Sequence, residues 1–388
     1  MRLLFVSHSF PPADQPLSNI GGMQRVATEL HAAFQDLPDV QLSDELMRTT
    51  WAMTHMKVPF FLRRAFKTIK RRVQNGEVDV VLFSSMVTAS LAVWLKPTFE
   101  AHGVKSAAIV HGQDVTTPLK LYQRFVPKVF SALDAVMPVS RATGEQCAMR
   151  GLPESKLIVV PNGVDTSRFT PLEPKPAMRA ALKTALDDPA EPLPDDALLL
   201  CSVGRQVPRK GFPWFAEHVM PLLPENVHYW LAGDGPDADT IRAAAERKGV
   251  AHRVRLLGRV TDEELSLLNR GADLFVMPNV PVPGTMEGFG VVMLEAGMCG
   301  LPSVAAALEG IRDVITEGVN GHLVPSQDAW AFSEAIMRYH DQPEKLEATS
   351  QQTYQHVIGT FSWPAVAQQY ADALAGLRAH QGALDNRA

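Results

Sequence analysis

Short apolar runs and amphipathic segments alternate along almost the whole chain. In the first half the strand-like runs are RLLFVS, DVVLFSS, SAAIVHG, DAVMPVS and KLIVVPNG. In the second half they are ALLLCSVG, HYWLAGDG, RVRLLG, ADLFVMP, LPSVAA and GHLVP. Segments such as GMQRVATELHAAF, with apolar residues at helical spacing, lie between them. Strands that alternate with helices predict an α/β fold, with parallel sheets that carry helices on both faces.

A stretch rich in proline and acid separates the two series of strands. We therefore predict a first domain over residues 1–170, a linker over 171–196 and a second domain over 197–360. The length of 388 residues also favours two domains, because one hydrophobic core rarely serves so long a chain. Doubly wound folds bind ligands beyond the carboxyl ends of their strands, so the two domains would face a shared crevice.

Composition narrows the class of protein. With 46% hydrophobic and 20% charged residues, the chain resembles globular proteins and not disordered ones. The apolar runs are too short to span a bilayer, and the N-terminus reads as a first strand, not as a signal peptide. Cys147, Cys201 and Cys299 match neither a metal nor a disulfide spacing, which is typical of a cytoplasmic protein. We expect no nucleic-acid partner.

Charge is distributed unevenly between the two halves. Residues 1–170 carry 19 Lys and Arg against 14 Asp and Glu, whereas the remaining residues carry 18 against 28. A basic first half indicates contact with something anionic. Its most basic stretch, Phe60–Arg72, has apolar residues at helical spacing with cations between them. It is either a domain helix with a solvated basic face or a helix that rests peripherally on anionic lipid headgroups at the inner face of a membrane.

Two polar loops follow strands of the first half. The loop after the first strand ends in Gly21 and Gly22 at a predicted helix start, where backbone N–H groups can meet a phosphate or a sugar. His111 directly follows the apolar run SAAIV, so its ring would point into the crevice and could bond a substrate hydroxyl. A histidine whose bonds are satisfied within the protein is the alternative.

The loop VGRQVPRKGF places two cations beyond a strand of the second half. Arg205 and Lys210 suit a diphosphate there, with arginine as a planar fork and lysine as a point charge. Arg209 shares the loop and reads as a solvated surface cation. The glycines of LAGDGPDA fit a dinucleotide fingerprint only loosely, and we interpret them as a tight turn beside a nucleotide.

The stretch MEGFGVVMLEAG puts one carboxylate before a Gly-Phe-Gly and another within an apolar run. A helix that begins near Gly288–Gly290 would present unbonded N–H groups and its positive end to an anion. Glu287 would lie just outside this pocket, and Glu295 about one and a half turns inside the helix. Carboxylates accept hydrogen bonds from paired sugar hydroxyls. The spacing therefore fits a nucleotide sugar, which has hydroxyls at both ends and phosphate between them.

The sequence resembles the retaining glycosyltransferases of family 4, which have the GT-B fold. The matching motifs extend over nearly the whole chain: FPP and GG in the first loop, HGQD, VPNGVDTSRF, VGRQVPRKGF, LAGDGP, LLGRV, MEGFGVVMLEAGMCGLPSV, GVNGHLV and FSWPAVAQQY. The resemblance implies two Rossmann-like doubly wound domains that face a shared cleft. A C-terminal helix at about 361–380 would cross back to the first domain. The region QDLPDVQLSDELMRTT departs from the family, because its second strand is poorly marked.

The resemblance also implies four catalytic residues. His111 would contact the transferred sugar at the reacting centre. Arg205 and Lys210 would neutralise the departing diphosphate. Glu287 would contact sugar hydroxyls.

Donor binding would involve further positions. Gly22 would meet the donor phosphates, and Glu295 would bind the ribose. The backbone near Arg259 and Val260 would border the base. The backbone amides that would hold the sugar and phosphate are those of Gly288, Phe289 and Gly290.

The implied reaction moves a hexosyl residue from a UDP- or GDP-sugar to a glycan or lipid-linked acceptor, with retention of configuration. We expect neither a metal nor another cofactor, because fixed cations would stabilise the negative charge of the leaving diphosphate. The alternatives are a sugar-nucleotide epimerase or phosphorylase on the same fold, and a non-catalytic module that binds nucleotide sugars. The intact set of charged site residues argues against the last of these.

Overall fold

The computed structural model describes residues 1–12, 22–49, 53–166, 174–188 and 190–385. These residues form two compact units. The first unit combines Met1–Gly163 with Trp363–Ala388, and the second is Val164–Ser362.

The first unit is built on a five-stranded parallel sheet with helices on both faces. Its strands are β1 (Arg2–Phe10), β2 (Gln41–Arg48), β3 (Val80–Phe83), β4 (Lys105–Val110) and β5 (Ala135–Pro138). Its first seven helices are α1 (Gly22–Gln35), α2 (Thr54–Gln74), α3 (Met86–Ala89), α4 (Ala92–Ala101), α5 (Gln113–Thr116), α6 (Lys120–Ala132) and α7 (Arg141–Ala148). The strand order β2-β1-β3-β4-β5 changes direction between β1 and β3, which is where doubly wound sheets bind ligands.

Two segments of the first unit differ from the pattern read off the sequence. The poorly marked region does form a strand, β2, whose Leu42 pairs with Leu3 in parallel register. It is an edge strand with polar, half-exposed residues, so it lacks the apolar run that marks the central strands. The run KLIVVPNG, in contrast, forms no regular strand, although it forms an isolated bridge between Leu157 and Val136 and the Val160 N–H donates to the Pro138 carbonyl oxygen of β5 at 3.1 Å.

The second unit repeats the architecture with six parallel strands. They are β6 (Leu198–Val203), β7 (Val227–Ala232), β8 (Val254–Gly258), β9 (Leu274–Met277), β10 (Ser303–Ala306) and β11 (Gly321–Val324). The helices are α8 (Lys175–Leu186), α9 (Phe212–His218), α10 (Ala238–Arg247), α11 (Asp262–Gly271), α12 (Val291–Met298), α13 (Ala329–His340) and α14 (Pro343–Phe361). The order β11-β10-β9-β6-β7-β8 puts the change of direction between β9 and β6.

Both faces of this second sheet are covered. Successive side chains of a strand point to opposite sides, so a strand buried on both faces reads as a continuous apolar run. In β6, Leu199 and Cys201 belong to one core, whereas Leu198 and Leu200 belong to the other.

The range predicted as a linker, 171–196, contains helix α8. Leu182 of this helix is fully buried in the second unit. Arg179 donates from Nε to the Gly271 carbonyl oxygen at 2.7 Å and forms an ion pair with Asp273. The prolines and acids that suggested a linker flank a helix that packs through a few apolar residues. The expectation of a free linker is therefore revised.

The last helix, α15 (Trp363–Asp385), belongs to the first unit, as the GT-B fold class predicted. Tyr370 is buried against α1, with its ring 6.3 Å from that of Phe34. Trp363 packs on Gly163 so closely that a Cβ at the glycine would lie 2.5 Å from the indole ring.

Leu182→Ala should lower the free energy of unfolding of the second unit by about 2–5 kcal/mol, because loss of a buried leucine leaves a cavity. Thr184→Ala, exposed on the same helix, should change it by less than about 0.5 kcal/mol. Urea unfolding of both variants measures the difference. Wild-type stability of Leu182→Ala would contradict the packing of α8.

Candidate active site

Two loops of the second unit meet at the carboxyl edge of its sheet, beside the change of direction. Lys210 follows β6, and Asn279 and Glu287 follow β9. The Lys210 ammonium lies 2.7 Å from Oε2 of Glu287, and the Asn279 amide donates to the same oxygen at 3.3 Å. Arg209 Nε is 3.7 Å from it. Arg209, which reads from the sequence as a surface cation, therefore belongs to this cluster.

The ion pair between Lys210 and Glu287 is largely buried. Their side chains are 9% and 14% exposed, so both charged groups are largely removed from water. Burial alone would raise the pKa of Glu287, but the charge and hydrogen bond of Lys210, with help from Arg209, hold that pKa below its ordinary value. Glu287 is therefore a carboxylate at neutral pH. Its hydrogen bonds and ion pairs reach Oε2, and Oε1 has no hydrogen-bonded partner among the described residues.

Helix α12 begins directly after this carboxylate, as the sequence predicts. Gly290 is its N-cap, with φ of 80°. No hydrogen bond joins the N–H groups of Gly288, Phe289 or Gly290 to another residue of the described ranges. Unbonded N–H groups at the positive end of a helix form an anion site. A carboxylate and an anion-binding helix end thus lie side by side.

The turn LAGDGP packs against the loop that carries Arg205. A Cβ on Gly233, where φ is 123°, would come within 2.1 Å of the Gly204 carbonyl oxygen, so only glycine fits. The Gln206 side chain donates to the Gly233 carbonyl oxygen at 2.9 Å. The glycines thus bring two loops into backbone contact at the sheet edge, as a tight turn requires.

The remaining donor-site residues of this unit are dispersed around that edge. Arg205 is exposed, and its guanidinium makes no hydrogen bond or ion pair within the described part of the chain. Arg259 donates from Nε to Asp234 at 2.6 Å, and Val260 packs half-buried against the core. Glu295 is half-buried in the second turn of α12. Their predicted contacts with a nucleotide stay predictions.

His111 lies in the first unit, directly after β4. Its Nε2–H donates to the Ser84 carbonyl oxygen at 2.9 Å, and its backbone N–H donates to Asp114 at 2.9 Å. The structural alternative therefore accounts for one ring nitrogen, and contact of the other with a substrate hydroxyl stays a prediction. One ring nitrogen is satisfied within the protein, and Nδ1 has no bonded partner among the described residues.

Asp114 and His8 accompany His111 and were missed in the sequence. Asp114 is buried and also accepts the Met86 N–H at 3.4 Å, and burial raises its pKa. Burial, and then the nearby His111, lower the pKa of His8 to about 4. Asp114 and Asn279 follow buried strands, the same signal that identified His111, whereas His8 lies within β1 near its carboxyl end. Gly22 begins α1, while its neighbour Gly21 lies outside the described residues.

A cavity of about 620 Å³ lies at the opposite, amino-terminal edge of the second sheet. It is lined by Lys175, Asp273 and Cys299, among others, and by no residue predicted for the site. Within the described ranges no three potential ligands are grouped to hold a metal ion. Nor is any helix there long and apolar enough to cross a membrane.

Family models match both halves of the chain. The model described as Glycosyltransferase Family 4 matches residues 20–168, and the model described as Glycosyl transferases group 1 matches residues 197–342. Together they cover most of the sequence.

Individual relatives agree with these matches. A GDP-mannose-dependent alpha-(1-6)-phosphatidylinositol monomannoside mannosyltransferase of Mycobacterium tuberculosis is 26% identical over 97% of this chain and 98% of its own length. A D-inositol 3-phosphate glycosyltransferase of Xylanimonas cellulosilytica is 34% identical over 60% of this chain and 54% of its own.

Solved structures share the fold at low sequence identity. HepE of Anabaena, in complex with UDP, aligns over 97% of this chain and all of its own, with a TM-score of 0.68 and 18% identity. Sucrose-phosphate synthase of Thermosynechococcus elongatus aligns over 98% of this chain and all of its own, with a TM-score of 0.69 and 20% identity.

These matches define an enzyme of the GT-B class with two Rossmann-like domains. The chain belongs to glycosyltransferase family 4. It is a glycosyltransferase, which sets aside the epimerase and the non-catalytic binding module.

His8 should make stability fall in acid. The folded state resists protonation of this residue down to a pKa of about 4, whereas the unfolded chain takes up the proton near the ordinary value. The unfolded state then binds more protons between these values, so stability falls as pH falls through that window. At about pH 4.5 the loss due to His8 should be on the order of 2–3 kcal/mol.

Denaturant unfolding of wild type and His8→Gln at about pH 7 and 4.5 measures this effect. The variant should lose less stability than wild type between the two conditions, while the exposed control His102→Gln should follow wild type. Equal losses in His8→Gln and wild type would refute the assignment.

Proposed function

We propose that the enzyme transfers a hexosyl residue from a UDP- or GDP-hexose to a glycan or lipid-linked acceptor, with retention of the anomeric configuration. One observation carries the proposal. Glu287, held at Oε2 by Lys210, directly precedes the unbonded N–H groups at the start of α12. Oε1 of that carboxylate suits sugar hydroxyls, and the N–H groups suit phosphate oxygens.

The names of the relatives indicate which donors and acceptors to test first. Relatives that match over 80% and 97% of this chain are named as GDP-mannose-dependent, and their named acceptor is a phosphatidylinositol monomannoside, a glycolipid. GDP-mannose is therefore the first donor to test, and a glycolipid the first acceptor class. UDP-hexoses remain in the proposal.

The chemistry follows from where charge develops. Cleavage of the bond between sugar and diphosphate leaves negative charge on the departing oxygens and positive charge on the sugar. The positive end of α12 and the exposed guanidinium of Arg205 would stabilise the former. Lys210 would act with them, although Glu287 already shares its charge.

Glu287 suits a binding role better than a nucleophilic one. Its carboxylate pairs with the Lys210 ammonium and accepts a hydrogen bond from Asn279, and both contacts lower its nucleophilicity. We propose that the acceptor attacks on the face from which the diphosphate departs, with that diphosphate as the base. No metal is assigned a role, because the fixed cations supply the positive charge.

A panel of nucleotides tests the proposed donor class. In buffer with EDTA, GDP-mannose, UDP-glucose, GDP and UDP are compared with GMP and UMP by thermal unfolding. Sugar nucleotides and diphosphates of one base should raise the Tm more than the monophosphate does, because ligands that bind only the folded state stabilise it. No shift with any member would contradict the proposal, and a shift only after addition of Mg²⁺ would contradict metal independence.

Arg205→Met provides the matched variant for this panel. Because the exposed Arg205 guanidinium makes no hydrogen bond or ion pair within the described part of the chain, the Tm of the free variant should equal that of wild type. Its affinity for the diphosphate should fall by about tenfold or more, since a hydrogen bond to a charged group is lost. Lys248→Met removes an exposed cation at the end of α10 and should change neither quantity.

Peripheral membrane contact through α2 is the second element of the proposal. Ala65, Ile69 and Val73 are buried against the first unit, so the helix does pack on its own domain. Its outer face nevertheless exposes Phe60, at 79%, and several cations beyond it. An exposed aromatic residue among cations suits the interface of an anionic bilayer.

Liposome sedimentation tests this contact. Wild type should bind vesicles of phosphatidylglycerol and phosphatidylcholine at low salt and release as salt rises, because screening weakens the attraction. Lys67→Glu/Lys70→Glu should abolish binding. Lys248→Glu/Lys345→Glu, with the same change of net charge on the second unit, should retain it. Absence of binding at every salt concentration would contradict membrane contact and favour the alternative, in which α2 is a domain helix with a solvated basic face.

A further inference from the structure

Glu309, in the loop after β10, contacts the backbone of Glu287, which lies in the loop after β9. The Glu309 carboxylate accepts the Glu287 backbone N–H. The next residue, Gly310, donates its N–H to the Glu287 carbonyl oxygen at 3.1 Å. Both peptide groups of Glu287 are thus held by one dipeptide that lies 22 residues further along the chain.

The dipeptide is conformationally costly. Glu309 has φ of 48°, in the left-handed region that residues with a Cβ rarely adopt. A Cβ on Gly310 would lie 2.1 Å from the Gly288 carbonyl oxygen, so the two backbones are in direct contact. Strained backbone of this kind persists where the surrounding structure demands it, and it concentrates at functional sites.

Electrostatics alone would disfavour an acid at this position. Burial raises the pKa of Glu309, and the neighbouring charge of Glu287 raises it further. The Glu287 N–H and Arg209 act in the opposite direction. The hydrogen bond from the Glu287 N–H therefore offsets the cost of a glutamate that is strained, half-buried and beside another carboxylate.

We infer that Glu309 is a positioning residue for sugar recognition, in that it fixes the main chain from which Glu287 presents Oε1 to the transferred hexose. Lys210 and Asn279 fix the other oxygen of the same carboxylate. Because the main chain and Oε2 are both held, the orientation of Oε1 is fixed. This inference rests on the proposed function, in which Glu287 contacts the sugar.

The structure predicts a loss confined to ligands that carry a sugar. Glu309→Gly removes the carboxylate and supplies the residue that favours the observed φ, so its Tm should equal or exceed that of wild type. Its affinity for GDP-mannose or UDP-glucose, whichever binds wild type, should fall about tenfold. Its affinity for the corresponding bare diphosphate should stay within about twofold.

Two further variants complete the test by isothermal titration. Glu309→Gln keeps an oxygen that can accept the Glu287 N–H and should restore most of the affinity for the sugar nucleotide. Glu317→Ala removes another carboxylate that accepts a backbone N–H, that of Leu323 at 2.8 Å, and should leave the ratio of the two affinities unchanged.

The outcomes separate the inference from the proposed function. Equal losses for both ligands in Glu309→Gly, or no loss for either, would overturn the positioning role while wild-type binding upheld the donor class. Wild type that binds neither ligand would overturn the proposed function, and the inference with it. Sugar-selective loss with glutamine rescue supports both.

Discussion

The ion pair between Lys210 and Glu287 holds the candidate active site together. It joins residues 77 apart in the chain and ties the loop after β6 to the loop after β9, on either side of the point where the sheet changes direction. Burying two charges is unfavourable unless geometry and further hydrogen bonds offset the loss of water. Here Asn279 donates a hydrogen bond to the carboxylate, and Arg209 adds a second positive charge 3.7 Å from it. Loss of either partner would leave a buried charge alone.

The pair also affects which charged groups of the site stay available to a ligand. Because Glu287 neutralises much of Lys210, the positive groups of the site that have no ion pair among the described residues include Arg205 and the start of α12 with its partial charge. The carboxylate and the anion-binding groups then lie next to each other without cancelling. A ligand that offers both hydroxyls and phosphate makes use of both.

Close backbone contacts make this proximity possible. Gly233 lets the loop after β7 touch the loop after β6, and Gly310 lets the loop after β10 touch the segment that precedes α12. A side chain at either glycine would separate the loops by more than a hydrogen bond allows. Glu309 carries the backbone strain beside one of these contacts.

The sequence by itself determined the class of fold, the central strands and the residue types of the site. Buried parallel strands read as apolar runs, and the polar residues that follow them mark the sheet edge. It did not determine β2 or α8, because an edge strand and a helix between prolines have weak patterns. Only the tertiary structure decided that Glu287 pairs with Lys210, that Arg209 joins them and that Glu309 holds the Glu287 peptide. The physical reason is that these partners lie on different loops, and their distances depend on the order of the strands between them.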